Sequence, residues 1–309
     1  MGKTAFIFSG QGAQYVGMGR QIAENYKSAA DIFDQASGAL GFDVRKMIFE
    51  SDDETLKITE NTQPSIVTMS IACLQPLLEK GVRPDFTAGL SLGEYSAHVC
   101  SGTMSFKDAV ALVRKRGKYM QEAVPLGVGA MAAVLGLDAP AVVECCKAGS
   151  REGVVEPANF NCPGQIVIAG EVKAVEKTVE LCKEKGAKRS MLLPVSAPFH
   201  CSLLKPAGEK LAAELEKISL NPMKIPVVAN VTAGIVTDAA LVKDLLVRQV
   251  SSPVRWEDSV NTMLAGGADT FVEIGPGKTL SGFVKKINKD VRVFNVEDIE
   301  SLEKALSEI

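Results

Sequence analysis

The chain lacks the features typical of membrane and metal-binding proteins. Near its middle, the longest charge-free apolar stretch, 123–137, contains a proline and three glycines. It is shorter than the roughly 20 residues that a membrane-spanning helix needs. None of the seven cysteines forms a C-x-x-C pair, and the adjacent Cys145 and Cys146 are poorly spaced for metal ligands. We therefore expect no membrane association, no metal site, and reduced thiols in a cytoplasmic protein.

The chain also lacks an excess of either charge. It has 34 lysines and arginines against 37 aspartates and glutamates, a net charge of -3, which argues against nucleic acid as the main ligand. With 46% hydrophobic and 23% charged residues, the composition is that of a globular protein. A chain of 309 residues is too long for one small hydrophobic core, so we expect two domains or one large domain with an insertion.

Helical and strand-like segments alternate along most of the sequence. Strands are predicted at 4–8, 86–90, 226–231, 270–274 and 291–296. Helices are predicted at 20–36, 64–80, 106–123, 201–218, 239–250, 256–264, 278–288 and the C-terminus. This alternation predicts an α/β fold with a mostly parallel sheet, formed by residues 1–125 and 197–309.

The segment between these two parts follows a different order. Strands are predicted at 129–135, 154–160, 165–169 and 188–195, and helices at 139–148 and 172–185. The order β-α-β-β-α-β is that of a ferredoxin-like fold. We predict that residues 126–196 form a small domain inserted into the larger one, where it covers one side of the site.

A G-x-S-x-G sequence, Gly89 to Gly93, lies between a predicted strand and a predicted helix. This is the context of a nucleophile elbow. The glycines permit a sharp turn that presents the hydroxyl of Ser91 at a helix N-terminus, where free N–H groups stabilise an oxyanion. The pattern predicts that Ser91 is a nucleophile, and the alternative is an ordinary tight turn.

A serine nucleophile needs a base, and the chain has only two histidines. His98 is seven residues beyond Ser91 on the same predicted helix. That places it about 10 Å further along the helix axis, beyond hydrogen-bond reach. His200 lies in a loop between a predicted strand and a predicted helix. By elimination, we predict that His200 is the base.

Arg116 is the exception in a run of basic residues at 114–118. It shares one helical stripe with apolar residues, namely Ala109, Leu112, Val113 and Met120. A charge on an apolar stripe needs a partner, because an unpaired buried charge is costly. From the residues alone, a structural carboxylate and a substrate carboxylate are equally good partners.

Several motifs together resemble the malonyl-CoA:acyl carrier protein transacylases. They span nearly the whole chain in the family's order: Gly10-Gln11-Gly12, the Ser91 elbow with Glu94-Tyr95, the stretch 113–117, the stretch 159–165, Pro198-Phe199-His200, Gln249 before 251–253, and Glu273-Ile274-Gly275-Pro276-Gly277. One departure is Leu90, which stands where the family often has histidine, and we expect it to pack away from Ser91.

The resemblance implies a fold and a set of roles. The fold is a hydrolase-like α/β core with a ferredoxin-like lid. Ser91 is the nucleophile, His200 the base, and the backbone carbonyl of Gln249 orients the imidazole. The N–H groups of Gln11 and Leu92 form the oxyanion hole, and Arg116 pairs with the malonyl carboxylate. Phe199 lies beside the acyl group, and Asn161 and Gln165 contact the pantetheine arm or nucleotide.

The activity implied is malonyl transfer from malonyl-CoA to acyl carrier protein through an ester on Ser91, for fatty acid synthesis. The coenzyme A thioester is a substrate, and no cofactor is expected. A malonyl acyltransferase of a polyketide pathway is the close alternative. An α/β-hydrolase esterase is a weaker one, because no H-G-G-G-like loop is present and neither Asp108 nor Asp138 has the loop context of a triad acid.

Overall fold

The protein is built around two β-sheets. Among the residues that the structure covers, no group of side chains is arranged to bind a metal ion. The computed structural model describes residues 2–195 and 197–309. The strands are β1 (Lys3–Phe8), β2 (Phe86–Gly89), β3 (Gly129–Leu135), β4 (Val155–Cys162), β5 (Gln165–Glu171), β6 (Arg189–Leu192), β7 (Val227–Val228), β8 (Ile235–Val236), β9 (Val254–Arg255), β10 (Ala268–Ile274) and β11 (Arg292–Val296).

Helices surround both sheets. They are α1 (Arg20–Asn25), α2 (Lys27–Leu40), α3 (Val44–Glu50), α4 (Asp53–Lys57), α5 (Thr59–Glu79), α6 (Gly93–Cys100), α7 (Phe106–Ala123), α8 (Ala139–Gly149), α9 (Val172–Glu184), α10 (Lys205–Leu215), α11 (Val242–Val250), α12 (Trp256–Ala265), α13 (Thr279–Ile287) and α14 (Ile299–Glu308). Within the described ranges, none of them is long and apolar enough to cross a membrane.

The larger sheet has the order β11-β10-β1-β2-β7-β8 and is parallel except at its β8 edge. Its central strand β1 is apolar throughout its second half, as expected for a strand covered on both faces. Phe6 and Phe8 point into the largest apolar cluster, with α2, α5 and α7. Ala5 and Ile7 point to the other face, with α12 and α13. The predicted α/β architecture with a mostly parallel sheet is confirmed.

The smaller sheet has the order β6-β3-β5-β4-β9. The four strands from the middle segment are antiparallel, and β9, from outside that segment, adds to β4 in parallel. Along β5, Ile166 and Ile168 pack under α8 and α9, whereas Val167 and Ala169 pack on the main core. One face of this sheet therefore carries its own helices and the other faces the larger part of the protein. Residue 196, the predicted end of the small domain, lies outside the described residues.

Two predicted elements differ from the observed ones. The helix expected over 20–36 is broken at Tyr26, whose backbone is extended, so that α1 and α2 are separate. The strand expected over 226–231 is only two residues long. It ends at Val228 because the chain then turns back to form β8, and the turn is closed by a hydrogen bond from Ala229 N–H to the Gly234 carbonyl at 3.1 Å. The element order is otherwise as predicted, with α3, α4, β8 and β9 as additions.

The close approach of α6 to β1 generates a stability prediction. A Cβ atom on Gly93 would lie 2.1 Å from the carbonyl oxygen of Phe8, so Gly93→Ala must push the two main chains apart. We expect it to lower the free energy of unfolding in urea by about 1–3 kcal/mol.

The control is Gly38→Ala in α2, where an added Cβ meets no atom within 4 Å. It should stabilise the protein by up to about 1 kcal/mol, because alanine is the better helix former. Equal urea midpoints for the two variants would contradict the packing constraint at Gly93.

Candidate active site

The turn between β2 and α6 holds Ser91 in a strained conformation. Its φ of 53° is left-handed, which is unfavourable for a residue other than glycine. The side chain of Asn230 bridges the turn. Its Oδ1 accepts from the N–H of Ser91 at 2.6 Å, and its Nδ2 donates to the carbonyl of Gly89 at 2.8 Å. These two hydrogen bonds stabilise a turn that the local backbone preferences oppose.

The structure brings Ser91 and His200 into contact. Ser91 Oγ lies 2.6 Å from His200 Nε2, and His200 Nδ1 lies 2.8 Å from the carbonyl oxygen of Gln249. Because a carbonyl only accepts, Nδ1 must carry the ring proton of the neutral imidazole. Nε2 therefore has a free lone pair for the hydroxyl proton of Ser91. His200 also has a left-handed φ of 63°.

Burial keeps His200 neutral. Desolvation and, secondly, the charge of Arg116 lower the pKa of His200 to about 3, although the hydrogen bond to Gln249 opposes this shift. His98 is also buried, and desolvation lowers its pKa to about 4. Its ring nitrogens have no hydrogen-bond partner in the described part of the chain, whereas His200 is bonded to Ser91. His98 is a packing residue, as expected from its spacing.

The main-chain N–H groups of Gln11 and Leu92 belong to loops at the same end of the larger sheet. β1 and β2 are parallel neighbours, with Phe8 beside Gly89, so the segments that follow them meet at one edge. Among the described residues, neither N–H group has a recorded acceptor. Both donors are therefore available to an oxygen atom at this edge.

Arg116 reaches the same site from α7. Only 2% of its side chain is exposed, and its Nη2 lies 3.3 Å from Ser91 Oγ. Its other partners are the amide oxygens of Gln63, at 2.9 Å from Nη1, and Gln249, at 3.0 Å from Nη2. Within the described residues, Arg116 forms no ion pair with a carboxylate, and its Nε has no partner. The sequence allowed a structural carboxylate as the partner of Arg116, and the structure shows two neutral amides instead.

Three residues of this site were not predicted as functional. Gln63 and Asn230 orient Arg116 and the Ser91 turn, and Glu94 accepts a hydrogen bond from Gln249 Nε2 at 2.6 Å. Asn230 follows a short apolar strand, and polar residues at the carboxyl ends of parallel strands form sites in such folds. That signal was available in the sequence. Glu94 belongs to the motif that follows the Ser91 elbow, but the motif did not indicate its role, and Gln63 lies within a helix and carries no comparable signal.

The structure places the remaining predicted residues as follows. Phe199 precedes His200 and is buried in the main core. Asn161 is buried near the end of β4. Gln165 begins β5 and accepts from Lys286 Nζ at 3.1 Å. Neither Asn161 nor Gln165 has a recorded hydrogen bond to the Ser91 centre. Leu90 packs with the apolar cluster on the far face of the sheet, as expected.

Comparisons with known proteins identify similar sequences and structures. The model of the acyl transferase domain family matches residues 5–304. Malonyl CoA-acyl carrier protein transacylase of Bacillus subtilis is 50% identical over 307 residues, covering 99% of this chain and 97% of the relative. The crystal structure of the enzyme of that name from Clostridium perfringens is 50% identical with a TM-score of 0.97, covering 99% of this chain and 96% of that one.

A further solved structure contains a partner protein. It is a malonyl-transacylase in complex with a type II PKS acyl-carrier protein, 43% identical with a TM-score of 0.97, covering 99% of this chain and 100% of that one. Both the sequence and the fold thus match over essentially the whole chain. The protein belongs to the acyl transferase family, among the malonyl CoA-acyl carrier protein transacylases.

Proposed function

We propose that this protein transfers the malonyl group of malonyl-CoA to the phosphopantetheine thiol of acyl carrier protein through a malonyl-Ser91 ester. The observation that carries the proposal is the convergence of a base and a buried cation on one hydroxyl. His200 Nε2 is 2.6 Å and Arg116 Nη2 is 3.3 Å from Ser91 Oγ. The names of the relatives support the same acyl donor and carrier.

In the first half-reaction, Ser91 Oγ attacks the thioester carbonyl while its proton moves to His200 Nε2. The oxyanion accepts hydrogen bonds from the N–H groups of Gln11 and Leu92. The carbon–sulfur bond then breaks, and the proton on His200 passes to the leaving sulfur, which departs as the thiol of coenzyme A. In the second half-reaction, the carrier's thiol gives its proton to His200, and its sulfur attacks the ester carbonyl. The carbon–oxygen bond to Ser91 then breaks, and His200 returns the proton to Ser91 Oγ. The acyl donor and the acyl acceptor thus use one site in turn, which implies ping-pong kinetics.

The Gln249 carbonyl takes the place of a triad carboxylate beside His200. An esterase would need an acid between Ser91 and His200. Asp138 instead caps the N-terminus of α8, and Asp108 accepts from the hydroxyl of Ser105, the N-cap of α7, at 2.6 Å. Neither contacts the imidazole. This arrangement supports acyl transfer over the esterase alternative. Transfer to a polyketide carrier uses the same chemistry, and the 43% identical relative in complex with such a carrier keeps that pathway as the second candidate.

Arg116 selects the malonyl group in this proposal. Its guanidinium is held by two neutral amides, so its charge is not cancelled by a direct ion pair. A planar guanidinium fits a carboxylate with two parallel hydrogen bonds. Acetyl has no carboxylate to form this pair. Phe199, beside the base, would limit branching at the α-carbon, and Asn161 and Gln165 would contact the pantetheine arm or nucleotide.

The architecture in this proposal is a hydrolase-like core of residues 1–125 and 197–309 with a ferredoxin-like lid of residues 126–196. The β-α-β-β-α-β order of the middle segment and its antiparallel strand order β6-β3-β5-β4 support the lid assignment. Helices α8 and α9 cover only the outer face of the smaller sheet. We further propose that the enzyme acts in the cytoplasm, in fatty acid synthesis, without a cofactor.

The covalent intermediate gives the first test. After incubation with malonyl-CoA, intact-mass measurement should show one malonyl group on the wild-type protein and none on Ser91→Ala, because the ester oxygen is gone. Addition of acyl carrier protein should then discharge the adduct. A malonyl group that persists on Ser91→Ala would contradict the assignment.

The base gives the second test. His200→Ala should lower the transfer rate by at least about 1000-fold, because nucleophile and base act as a unit. His98→Ala is the matched control, since His98 is equally buried but does not contact Ser91. The folded fraction of His98→Ala should retain most of the wild-type activity. The opposite ranking of the two variants, at matched thermal stability, would reverse the choice of base.

The specificity of Arg116 gives the third test. Arg116→Ala should lower the ratio of kcat/KM for malonyl-CoA over acetyl-CoA by roughly 10- to 150-fold, because a charged hydrogen bond contributes about 1.5–3 kcal/mol. Arg116→Lys should recover only part of the ratio, since an ammonium cannot form the fork. Equal losses for the two substrates would make Arg116 a structural residue.

A further inference from the structure

The charge of Arg116 is balanced by a carboxylate that does not contact it directly. The side-chain amide of Gln249 lies between Arg116 and Glu94: Oε1 accepts from Arg116 Nη2 at 3.0 Å, and Nε2 donates to Glu94 Oε2 at 2.6 Å. An amide in this orientation turns its negative end to the cation and its positive end to the carboxylate. The three side chains form a chain of alternating charge in which cation and anion do not touch.

The carboxylate of Glu94 is unusual because it is buried. Only 1% of its side chain is exposed, on the first turn of α6. Besides Gln249, its Oε2 accepts from the main-chain N–H of Asn230 at 3.2 Å. These two bonds leave Oε1 without a strong donor, because the nearest cationic candidate, His98 Nε2, is 4.0 Å away and that ring is kept neutral by burial.

Few other ionisable groups face Glu94. Tyr95 lies next to it on α6, and burial raises the pKa of this phenol to about 12, so it stays neutral. Arg116 is the charged side chain that α7 presents. Among the described residues, β1, β2 and α5, which also pack on α6, contribute no charged partner to Glu94. The balance of charge at this site therefore involves Glu94, Arg116 and any anion that enters.

We propose that Glu94 is the counter-ion of Arg116 in the unacylated enzyme, acting through the Gln249 amide, and that it takes up a proton from solvent when a malonyl carboxylate binds Arg116. Glu94 is thus a positioning residue, which holds Gln249 and through it the guanidinium. The inference rests on the proposed function, because it needs a carboxylate at Arg116.

The reason is the number of charges in a poorly hydrated site. Without substrate, Arg116 and Glu94 sum to zero. A malonyl carboxylate adds one negative charge, and two anions would then share one buried cation, which favours the neutral form of one of them. Glu94 is the anion that we expect to become protonated. Desolvation already raises its pKa to about 7, despite the opposing hydrogen bonds from Gln249 and Asn230 and the charge of Arg116.

The protons of the transfer itself balance without Glu94. The hydroxyl proton of Ser91 leaves on the thiol of coenzyme A, so acylation exchanges no proton with solvent apart from the ionisation of the released thiol. A proton taken up in addition must be bound by the enzyme. His200 is a poor acceptor for it, because the pKa of its ring starts from about 3.

The experiment counts protons and adducts together. Enzyme is mixed with malonyl-CoA in weakly buffered solution with a pH indicator. The malonyl adduct is quantified by intact mass, and the count is corrected for the separately titrated thiol of coenzyme A. At pH 8 the wild type should take up nearly one proton per adduct, and below about pH 6 almost none, because Glu94 is then protonated beforehand.

Glu94→Gln removes the charge but keeps a side-chain oxygen that can accept from Gln249 and Asn230. It should form the adduct without taking up a proton. Glu94→Asp, which keeps a carboxylate, should retain the uptake. Glu273→Gln is the matched control: Glu273 is another fully buried carboxylate, which accepts from the N–H groups of Leu280 and Ser281 and is not linked to Arg116. It should take up protons as the wild type does.

The pH dependence of KM for malonyl-CoA is an independent readout. Binding that takes up a proton weakens as pH rises, so KM in the wild type should increase between pH 6 and 8, with a limiting slope of about tenfold per pH unit. In Glu94→Gln the profile should be flat. A structural role alone would not change this slope.

The outcomes separate the two proposals. Absence of an adduct on the wild type contradicts the proposed function. Formation of the adduct without proton uptake, or the same uptake in Glu94→Gln, overturns the role of Glu94 and leaves the function standing.

Discussion

The active site depends on a turn that the chain would not adopt by itself. Ser91 has a left-handed backbone, and its stability comes from the amide of Asn230, which binds both Ser91 N–H and the Gly89 carbonyl. The turn also requires Gly93 to lie against the main chain of β1. Together these contacts place the hydroxyl above the carboxyl ends of parallel strands, where the loops after β1 and β2 meet.

Gln249 connects the parts that gather around this hydroxyl. Its main-chain carbonyl orients His200, its amide oxygen holds Arg116, and its amide nitrogen donates to the Ser91 carbonyl and to Glu94. A carboxylate in the same place would pair directly with Arg116 and compete with a substrate carboxylate. An amide fixes the guanidinium and leaves its charge available, which suits an enzyme that must bind an anionic acyl group and release it to a carrier.

The second sheet has a different relation to the site. Its α8 and α9 face carries a separate apolar cluster, while residues of the other face join the main core. β9, which follows the Gln249 helix α11 in the chain, adds to β4 and ties this sheet to the larger part. The path along the chain from α11 to the smaller sheet is therefore short, and the helix that carries Gln249 is tied closely to that sheet.

The sequence by itself determined the order of most elements, the elbow at Ser91, and the choice of His200 over His98. These follow from local rules: the apolar periodicity of helices and strands, the strand–turn–helix context of G-x-S-x-G, and the reach of a side chain along a helix. The family resemblance added Gln249, Gln11 and Leu92, and it gave a role to Arg116, which its position on an apolar helical stripe had already singled out. Local patterns also misjudged two places, the helix over 20–36 and the strand over 226–231.

Only the tertiary structure decided what surrounds these residues. The N–H of Asn230 donates to Glu94, 136 positions before it in the chain. Gln63 meets Arg116 across 53 positions, and Gln249 meets Glu94 across 155. Such partners carry no periodic signal, because a buried amide on an apolar helix looks like any other polar residue until its neighbours are known. The buried charge balance at Arg116 is a property of this long-range packing, since desolvation and the positions of the opposing groups set it together.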